Sequence, residues 1–226
     1  MTELSYVDVR PLLTKIADLE RDLVLVGGQA VNFWASYERL GGKPRLATFD
    51  DATPNSGTVV FVDAAGVTRT RDIVSAPFGL DATEVHDTAL DVEILDAADA
   101  ATGARFFVMH PVLCMESRVH NVVGLRAAYD TEHGRKQLRA SILFAREFLR
   151  DVLEGVMEAE NPVRAVLKLN ERIFRFSMHG HGKELYRVTG VDPAAAIVAD
   201  DRLPAAFRET RLPQMRAQLV ARERSP

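Results

Sequence analysis

The stretch LVLVGGQA, residues 23–30, is a short apolar run that ends in two glycines and then turns helical. A brief apolar run bounded by glycine is typical of a buried strand. Gly27 and Gly28 permit positive φ angles, and the first N–H groups of the following helix, which include Gln29, can receive a phosphate. The stretch therefore predicts strand, tight turn and helix, with a phosphate site or a purely structural turn as the two interpretations.

Composition places the chain among globular proteins. Its 226 residues are 47% hydrophobic, which suits one large domain or two small ones. A single cysteine, Cys114, excludes an internal disulfide and favours a reducing compartment. Neither a signal-peptide pattern nor an apolar run near the roughly 20 residues of a membrane span occurs. We expect a cytoplasmic protein without a membrane partner.

Charge is divided unevenly along the chain. Residues 1–100 contain 8 Lys and Arg against 17 Asp and Glu, and residues 101–226 contain 20 against 15. The net charges of the two halves are therefore −9 and +5. An acidic half followed by a basic half is consistent with a site for metal and phosphate, although Arg-rich helix surfaces are also common without one.

Periodicity predicts an α+β protein with its boundary near His110. Residues 1–110 read as a mixed or mostly antiparallel sheet with flanking helices, and residues 111–226 read as a helical domain. Asn161 and Asp192 are suitable N-caps before proline. The predicted strands are 23–26, 45–48, 58–63, 68–75, 90–95 and 105–109, and the helices are 8–20, 29–40, a short one from 81, 111–123, 131–154, 161–178, 192–199 and 203–222.

Several stretches together resemble the DNA polymerase β-like nucleotidyltransferase superfamily. They are LVLVGGQAVNFWASY (23–37), a later strand with Asp72, VMHPVLCMESRVHNVVGL (108–125) and YDTEHGRKQLRASI (129–142). The likeness is narrower to the minimal nucleotidyltransferases related to abortive-infection and toxin–antitoxin systems. It implies a nucleotidyltransferase-like mixed sheet followed by an all-helical domain. It also implies nucleotide transfer from a nucleoside triphosphate to an RNA or protein acceptor with Mg²⁺, and an antitoxin partner.

The residues of that family's site map only in part onto this chain. The resemblance assigns Gly27 and Gly28 to the turn that holds the triphosphate and Asp72 to the third metal-binding, catalytic carboxylate. The Asp-x-Asp pair expected on the strand after the first helix is missing, and the nearest acids are the adjacent pair Asp50 and Asp51 and the single Asp63. We expect Mg²⁺ to use Asp72 with Asp50 or Asp51.

Phosphoryl transfer depends on metal ions that neutralise the transferring phosphate, and one carboxylate rarely holds a pair of magnesium ions. We therefore expect weak or absent catalysis. One alternative is a non-catalytic nucleotide- or RNA-binding module or an interaction protein of the toxin–antitoxin type. Another is a truncated protein, because loss of a central strand exposes backbone hydrogen-bonding groups.

The helical half supplies further candidates. Lys136 and Arg139 lie three residues apart and share a helix face, where the resemblance implies contact with nucleotide phosphates; a solvated surface is the alternative. Glu116 and Arg118 are polar residues of the stretch 108–125, which carries part of the resemblance. The run His179-Gly180-His181-Gly182 predicts an exposed turn after a helix, not a metal site. Cys114 is expected to be buried and unreactive.

Overall fold

The protein is a mixed α+β structure, mostly helical, with a small mixed sheet. This agrees with the coarse fold class, and the nucleotidyltransferase fold stays a prediction. Two compact units, Met1–Ser117 and Arg118–Pro226, divide inside a helix a few residues after the boundary predicted at His110. The computed structural model describes residues 24–36, 57–62, 68–73, 77–95, 101–157 and 159–222.

The first unit contains a sheet of three strands, in the order β1-β5-β4. β1 pairs in parallel with β5, with Val24 opposite Phe107, and β4 pairs with β5 in the antiparallel sense. The strands β2 and β3 form a separate antiparallel pair. The bounds are β1 Val24–Leu25, β2 Gly57–Val62, β3 Thr68–Ile73, β4 Leu90–Leu95 and β5 Ala101–Val108, with helices α1 Gly27–Ser36 and α2 Ala82–Asp87.

The core of the first unit forms where α1 meets the end of β5. Trp34 is 3% exposed, and its indole Nε1 donates a hydrogen bond to the Met109 carbonyl at 3.0 Å. The Met109 N–H donates to the Leu25 carbonyl at 3.0 Å, which extends the parallel pairing beyond β5. The buried apolar residues here include Ala30, Val31, Phe33, Val108, Val112, Leu113, Cys114 and Met115. Cys114 is buried, as predicted.

The described residues of the second unit form helices and their connections, and the helix that contains the division belongs partly to the first unit. None of the described helices is long and apolar enough to cross a membrane. The elements are α3 Pro111–Gly124, α4 Arg126–Tyr129, α5 Glu132–Glu154, α6 Pro162–Met178, α7 Gly180–Thr189, a 3-10 turn Pro193–Ala196, a π-helical segment Ala206–Arg211 and α8 Leu212–Arg222.

Local capping chemistry explains the bounds of the long helices. The Thr131 hydroxyl accepts from the Gly134 N–H at the start of α5, and Gly155, with φ 75°, ends that helix. The predicted caps are confirmed: Asn161 accepts from the Arg164 N–H, and Asp192 accepts from the Ala194 N–H before the 3-10 turn. Predicted and observed bounds of α5 and α6 differ by one residue at the N-terminal end.

Two predicted helical pieces of the second half are confirmed in shorter or altered form, and one predicted turn differs from the structure. Residues 192–199 contain a single 3-10 turn in place of a longer helix. Within residues 203–222 a π-helical segment, Ala206–Arg211, precedes α8, and Pro213, which has no N–H to donate, follows it closely. The stretch from His179 to Gly182 is not a simple exposed turn, because α7 begins at Gly180.

Gly180 and Gly182 explain how α7 can follow α6 so closely. Gly180 has φ 49°, a left-handed conformation that glycine adopts at low conformational cost, and this interrupts the helix between α6 and α7. A Cβ at Gly182 would collide with the Phe176 carbonyl oxygen at the end of α6. His181, between these glycines, is half-buried.

Predicted elements at residues 8–20 and 45–48 lie outside the described residues, as does the end of the predicted helix 29–40. The predicted strand pair 58–63 and 68–75 is observed as β2 and β3. The predicted strand 90–95 coincides with β4, and 105–109 is observed as the longer β5. The arrangement of β1, β5 and β4 makes the sheet mixed.

Candidate functional site

The predicted phosphate turn lies at the carboxyl end of β1. Gly27 has φ 64°, in the left-handed region that residues other than glycine rarely adopt. Gly28 is buried. The first bond of the helical ladder runs from the Ala30 N–H to the Val26 carbonyl at 3.3 Å. The amides of Gly27, Gly28 and Gln29 therefore precede that ladder, where a helix can bind an anion.

A second helix starts at the same edge of the sheet. Because β1 and β5 are parallel neighbours, their carboxyl ends lie side by side. β5 continues through Met109 and His110 into α3, which starts at Pro111. The His110 Nδ1 accepts from the Val112 N–H at 3.1 Å, so the neutral ring carries its proton on Nε2. Two helix N-termini at one sheet edge create a region favourable to a negatively charged group.

Of the three residues expected to bind the metal ion, one lies within the described residues and two do not. The backbone of Asp72 lies on β3, opposite Thr58 of β2, in the two-stranded sheet. Asp50 and Asp51 lie outside the described residues. Within the described ranges, no group of three His, Cys, Asp or Glu residues is arranged to hold a metal ion. The magnesium site thus stays a prediction that depends on Asp72.

Lys136 and Arg139 lie on α5, in the second unit, and both are exposed. The Lys136 Nζ lies 2.9 Å from Glu132 Oε1, one helical turn earlier. The hydrogen bond from Lys136 holds the pKa of the Glu132 carboxyl below its usual range. A ligand phosphate would have to compete with Glu132 for Lys136, which weakens the case for this pair as a phosphate site.

The two polar candidates on α3, Glu116 and Arg118, are buried. Glu116 is 3% exposed and Arg118 is 2% exposed. Within the second unit, the Arg118 Nη1 donates to Oε1 of the buried Gln137 at 3.1 Å. Burial of this pair indicates that Arg118 supports the packing of α3 against α5 and does not contact a phosphate from solvent.

Two features of the described residues were not predicted from the sequence. One is His110, although a histidine between a strand and a Pro-initiated helix is a readable signal for a residue at a sheet edge. The other is a group of three exposed cations on α6, Arg164, Lys168 and Arg175, whose exposure depends on how the helices pack.

Comparison of the chain with family models, with curated proteins and with solved structures gave no match.

Proposed function

We propose that the first unit binds the triphosphate of a nucleotide at the turn between β1 and α1, as a nucleotidyltransferase-like protein with weak or absent transfer activity. The observation that carries this proposal is Gly27, which has φ 64° two residues after the end of β1, beside a parallel strand that also leads into a helix. This edge presents amide groups and two helix N-termini to an anion. The sequence resemblance supports a nucleotide over a simple phosphate.

The positive φ at Gly27 turns the chain sharply enough for the amides of Gly28 and Gln29 to follow at once as helical N–H groups. A phosphate bound there accepts hydrogen bonds from the backbone and interacts with the helix dipole. No side-chain charge is needed for this contact. The proposal therefore does not require Lys136 or Arg139, which belong to the second unit.

Transfer of a nucleotide requires a metal ion to neutralise the reacting phosphate. We assign one carboxylate to Asp72, and among the described residues no group of three His, Cys, Asp or Glu is arranged to hold a metal ion. Mg²⁺ usually keeps several waters and uses one or two carboxylates with the substrate phosphates, so Asp72 with the triphosphate suits a single ion at most. We therefore propose binding as the principal activity and derive no transfer step.

Isothermal titration of the purified chain with each nucleoside triphosphate, with and without Mg²⁺, tests this proposal. We expect binding that is abolished or weakened at least about tenfold by Gly27→Ala, because the added Cβ disfavours the left-handed turn. Asp72→Asn should remove any increase in affinity caused by Mg²⁺ and leave metal-free binding intact. An RNA or protein acceptor and an antitoxin partner are further proposals that these titrations do not address.

The matched control is Gly79→Ala, which places the same strain at another positive-φ glycine of the first unit, φ 78°. This variant should bind nucleotide within about twofold of the unmodified chain. Binding by Gly27→Ala at unmodified affinity, with its circular dichroism unchanged, would contradict the proposal. Equal losses in the two variants would show that backbone strain, and not the turn itself, lowers the affinity.

A further inference from the structure

The exposed side of α6 is entirely cationic. Arg164, Lys168 and Arg175 are the three residues of this helix that are exposed, and the remainder are buried or half-buried. At 100° per residue they lie within about 40° of one line along the helix. Arg164 and Arg175 are separated by roughly 16 Å at 1.5 Å rise per residue. These three residues are called the α6 ridge below.

Several other exposed cations of this unit, though not all, have acidic partners close by in the chain. Arg135 Nε lies 2.7 Å from Asp130, Arg150 Nη1 lies 2.8 Å from Glu147, and Arg187 Nη2 lies 2.7 Å from Glu184. Local pairs of this kind neutralise much of the surface charge. No carboxylate among the described residues pairs in this way with the α6 ridge.

Glu171 is the single acidic residue of α6. An arginine far away in the chain forms an ion pair with its carboxylate. Arg211 of the π-helical segment donates from Nε to Glu171 Oε1 at 2.6 Å and from Nη2 to Oε2 at 2.8 Å. Both carboxylate oxygens are therefore engaged. Arg175, one turn beyond Glu171, reaches only its backbone carbonyl, at 3.4 Å. Glu171 is therefore bound mainly by Arg211, and of the ridge only Arg175 lies close enough to contribute to the lowered pKa of its carboxyl.

We infer that the α6 ridge is a binding surface for the phosphate backbone of single-stranded RNA. A line of cations about 16 Å long matches an extended polyanion with regularly repeated charges better than it matches a single small anion. Binding of this kind depends on phosphate contacts and not on base sequence. The inference concerns the second unit and does not rest on nucleotide binding by the first.

The buried side of α6 argues against a lipid surface as the occupant. A helix that lies on a membrane needs an apolar face directed at the lipid. The apolar residues Val166, Ile173 and Phe174 of α6 are buried in the helical core. The ridge offers charge without an exposed apolar residue on the same helix, which favours RNA.

The test is fluorescence anisotropy with a fluorescein-labelled single-stranded RNA oligomer, titrated with the full chain at several salt concentrations. The test variant combines Arg164→Gln, Lys168→Gln and Arg175→Gln, since glutamine preserves helix propensity. We expect its affinity to fall at least about tenfold. The slope of log K against log salt should decrease by about 2, at roughly 0.7 per lost phosphate contact.

The matched control removes three cations that are already paired: Arg135→Gln, Arg150→Gln and Arg187→Gln. The control variant loses the same net charge as the ridge variant. We expect its affinity for the RNA to fall less than about threefold. Circular dichroism of both variants checks that the helices remain folded. Absence of RNA binding by the unmodified chain, unchanged binding by the ridge variant, or equal losses in the two variants would each overturn the inference.

Vesicles of phosphatidylserine and phosphatidylcholine, tested by co-sedimentation, separate RNA from an anionic lipid surface. The inference expects no vesicle binding that depends on the ridge. Ridge-dependent binding to vesicles without binding to RNA would overturn it. Nucleotide titration of the ridge variant should match that of the unmodified chain, so failure of the nucleotide proposal and failure of this inference give different results.

Discussion

His120 of α3 and His181 of α7 face each other with their Nδ1 atoms 2.8 Å apart. Their ring centroids are 4.9 Å apart in an edge-to-face arrangement, and the His120 ring also packs against Phe176 at 5.4 Å. One ring must donate and the other accept for this contact to be a hydrogen bond, so the pair does not tolerate two charged rings.

The first prediction concerns stability in acid. Burial, with a smaller contribution from the charge of His181, lowers the pKa of His120 from 6.5 to about 4. The folded chain therefore binds fewer protons than the unfolded chain between these values. This contribution to stability is complete above pH 6.5 and is lost as the pH falls toward 4.

We expect Tm to fall between pH 6.5 and 4.5 by roughly 5 °C more in the unmodified chain than in His120→Gln. Thermal scans followed by circular dichroism across this range measure the difference. His179→Gln, which changes an exposed histidine next to α7, should behave like the unmodified chain. Parallel Tm profiles for the unmodified chain and His120→Gln would show that His120 does not titrate as described.

The second prediction concerns Asn170, a fully buried residue of α6. Its Nδ2 donates to the Val198 carbonyl at 3.0 Å, and its Oδ1 accepts from the Val198 N–H at 2.9 Å. Asn170→Leu leaves both backbone groups buried without this partner, which should cost roughly 2–4 kcal/mol in the free energy of unfolding. Urea denaturation measures the loss. The control Gln214→Leu, at an exposed position of α8, should change it by less than about 0.5 kcal/mol.

The third prediction concerns Arg222, which secures the end of α8 with a side chain that is 3% exposed. Its Nη2 lies 2.6 Å from Asp192, its Nη1 donates to the Ser177 carbonyl at 2.6 Å, and its guanidinium stacks on Tyr186 at 4.4 Å. Removal of one member of a buried ion pair typically costs 3–5 kcal/mol, so Arg222→Met should destabilise the chain by roughly 3 kcal/mol.

A double-mutant cycle separates the ion pair from the packing of Arg222. Asp192→Asn keeps an acceptor for the Ala194 N–H and removes the charge. Combined with Arg222→Met, it should recover roughly 1 kcal/mol or more of the loss in the free energy of unfolding. Strict additivity of the two changes, measured by urea denaturation, would mean that the charges do not interact. Arg216→Met, at an exposed site, is the control.

The fourth prediction concerns Trp34, the one tryptophan of the chain. Its indole is buried and bonded to the Met109 carbonyl, so its fluorescence reports on the core of the first unit. We expect native emission that is blue-shifted from the denatured state and a sigmoidal change on heating. Denatured-like emission, or a broad non-cooperative change, would favour the interpretation of a truncated protein with a damaged sheet. Trp34→Phe identifies the signal by removing it.

Features that depend on neighbouring residues were the ones that could be predicted. The caps Asn161 and Asp192 and the bounds of α5 and α6 follow from side chains within a few residues of each helix end. The turn at Gly27 follows from two glycines after an apolar run, and its positive φ agrees with that prediction.

Features that depend on distant residues could not be predicted. Arg211 lies 40 positions from Glu171, and His181 lies 61 positions from His120, so no periodicity indicates either contact. The same limit affects the choice of phosphate-binding cations. Spacing on a helix face favoured Lys136 and Arg139, but Lys136 is already paired with Glu132.

The sequence by itself determined where the chain turns at Gly27 and where its long helices begin and end, because backbone freedom and capping act over a few residues. Only the tertiary structure decided which charges face solvent without a partner. That depends on packing, which buries Arg118, pairs Glu171 with Arg211 and leaves Arg164, Lys168 and Arg175 exposed. Burial and ion pairing join segments that are far apart in the chain, so they arise only when the helices assemble.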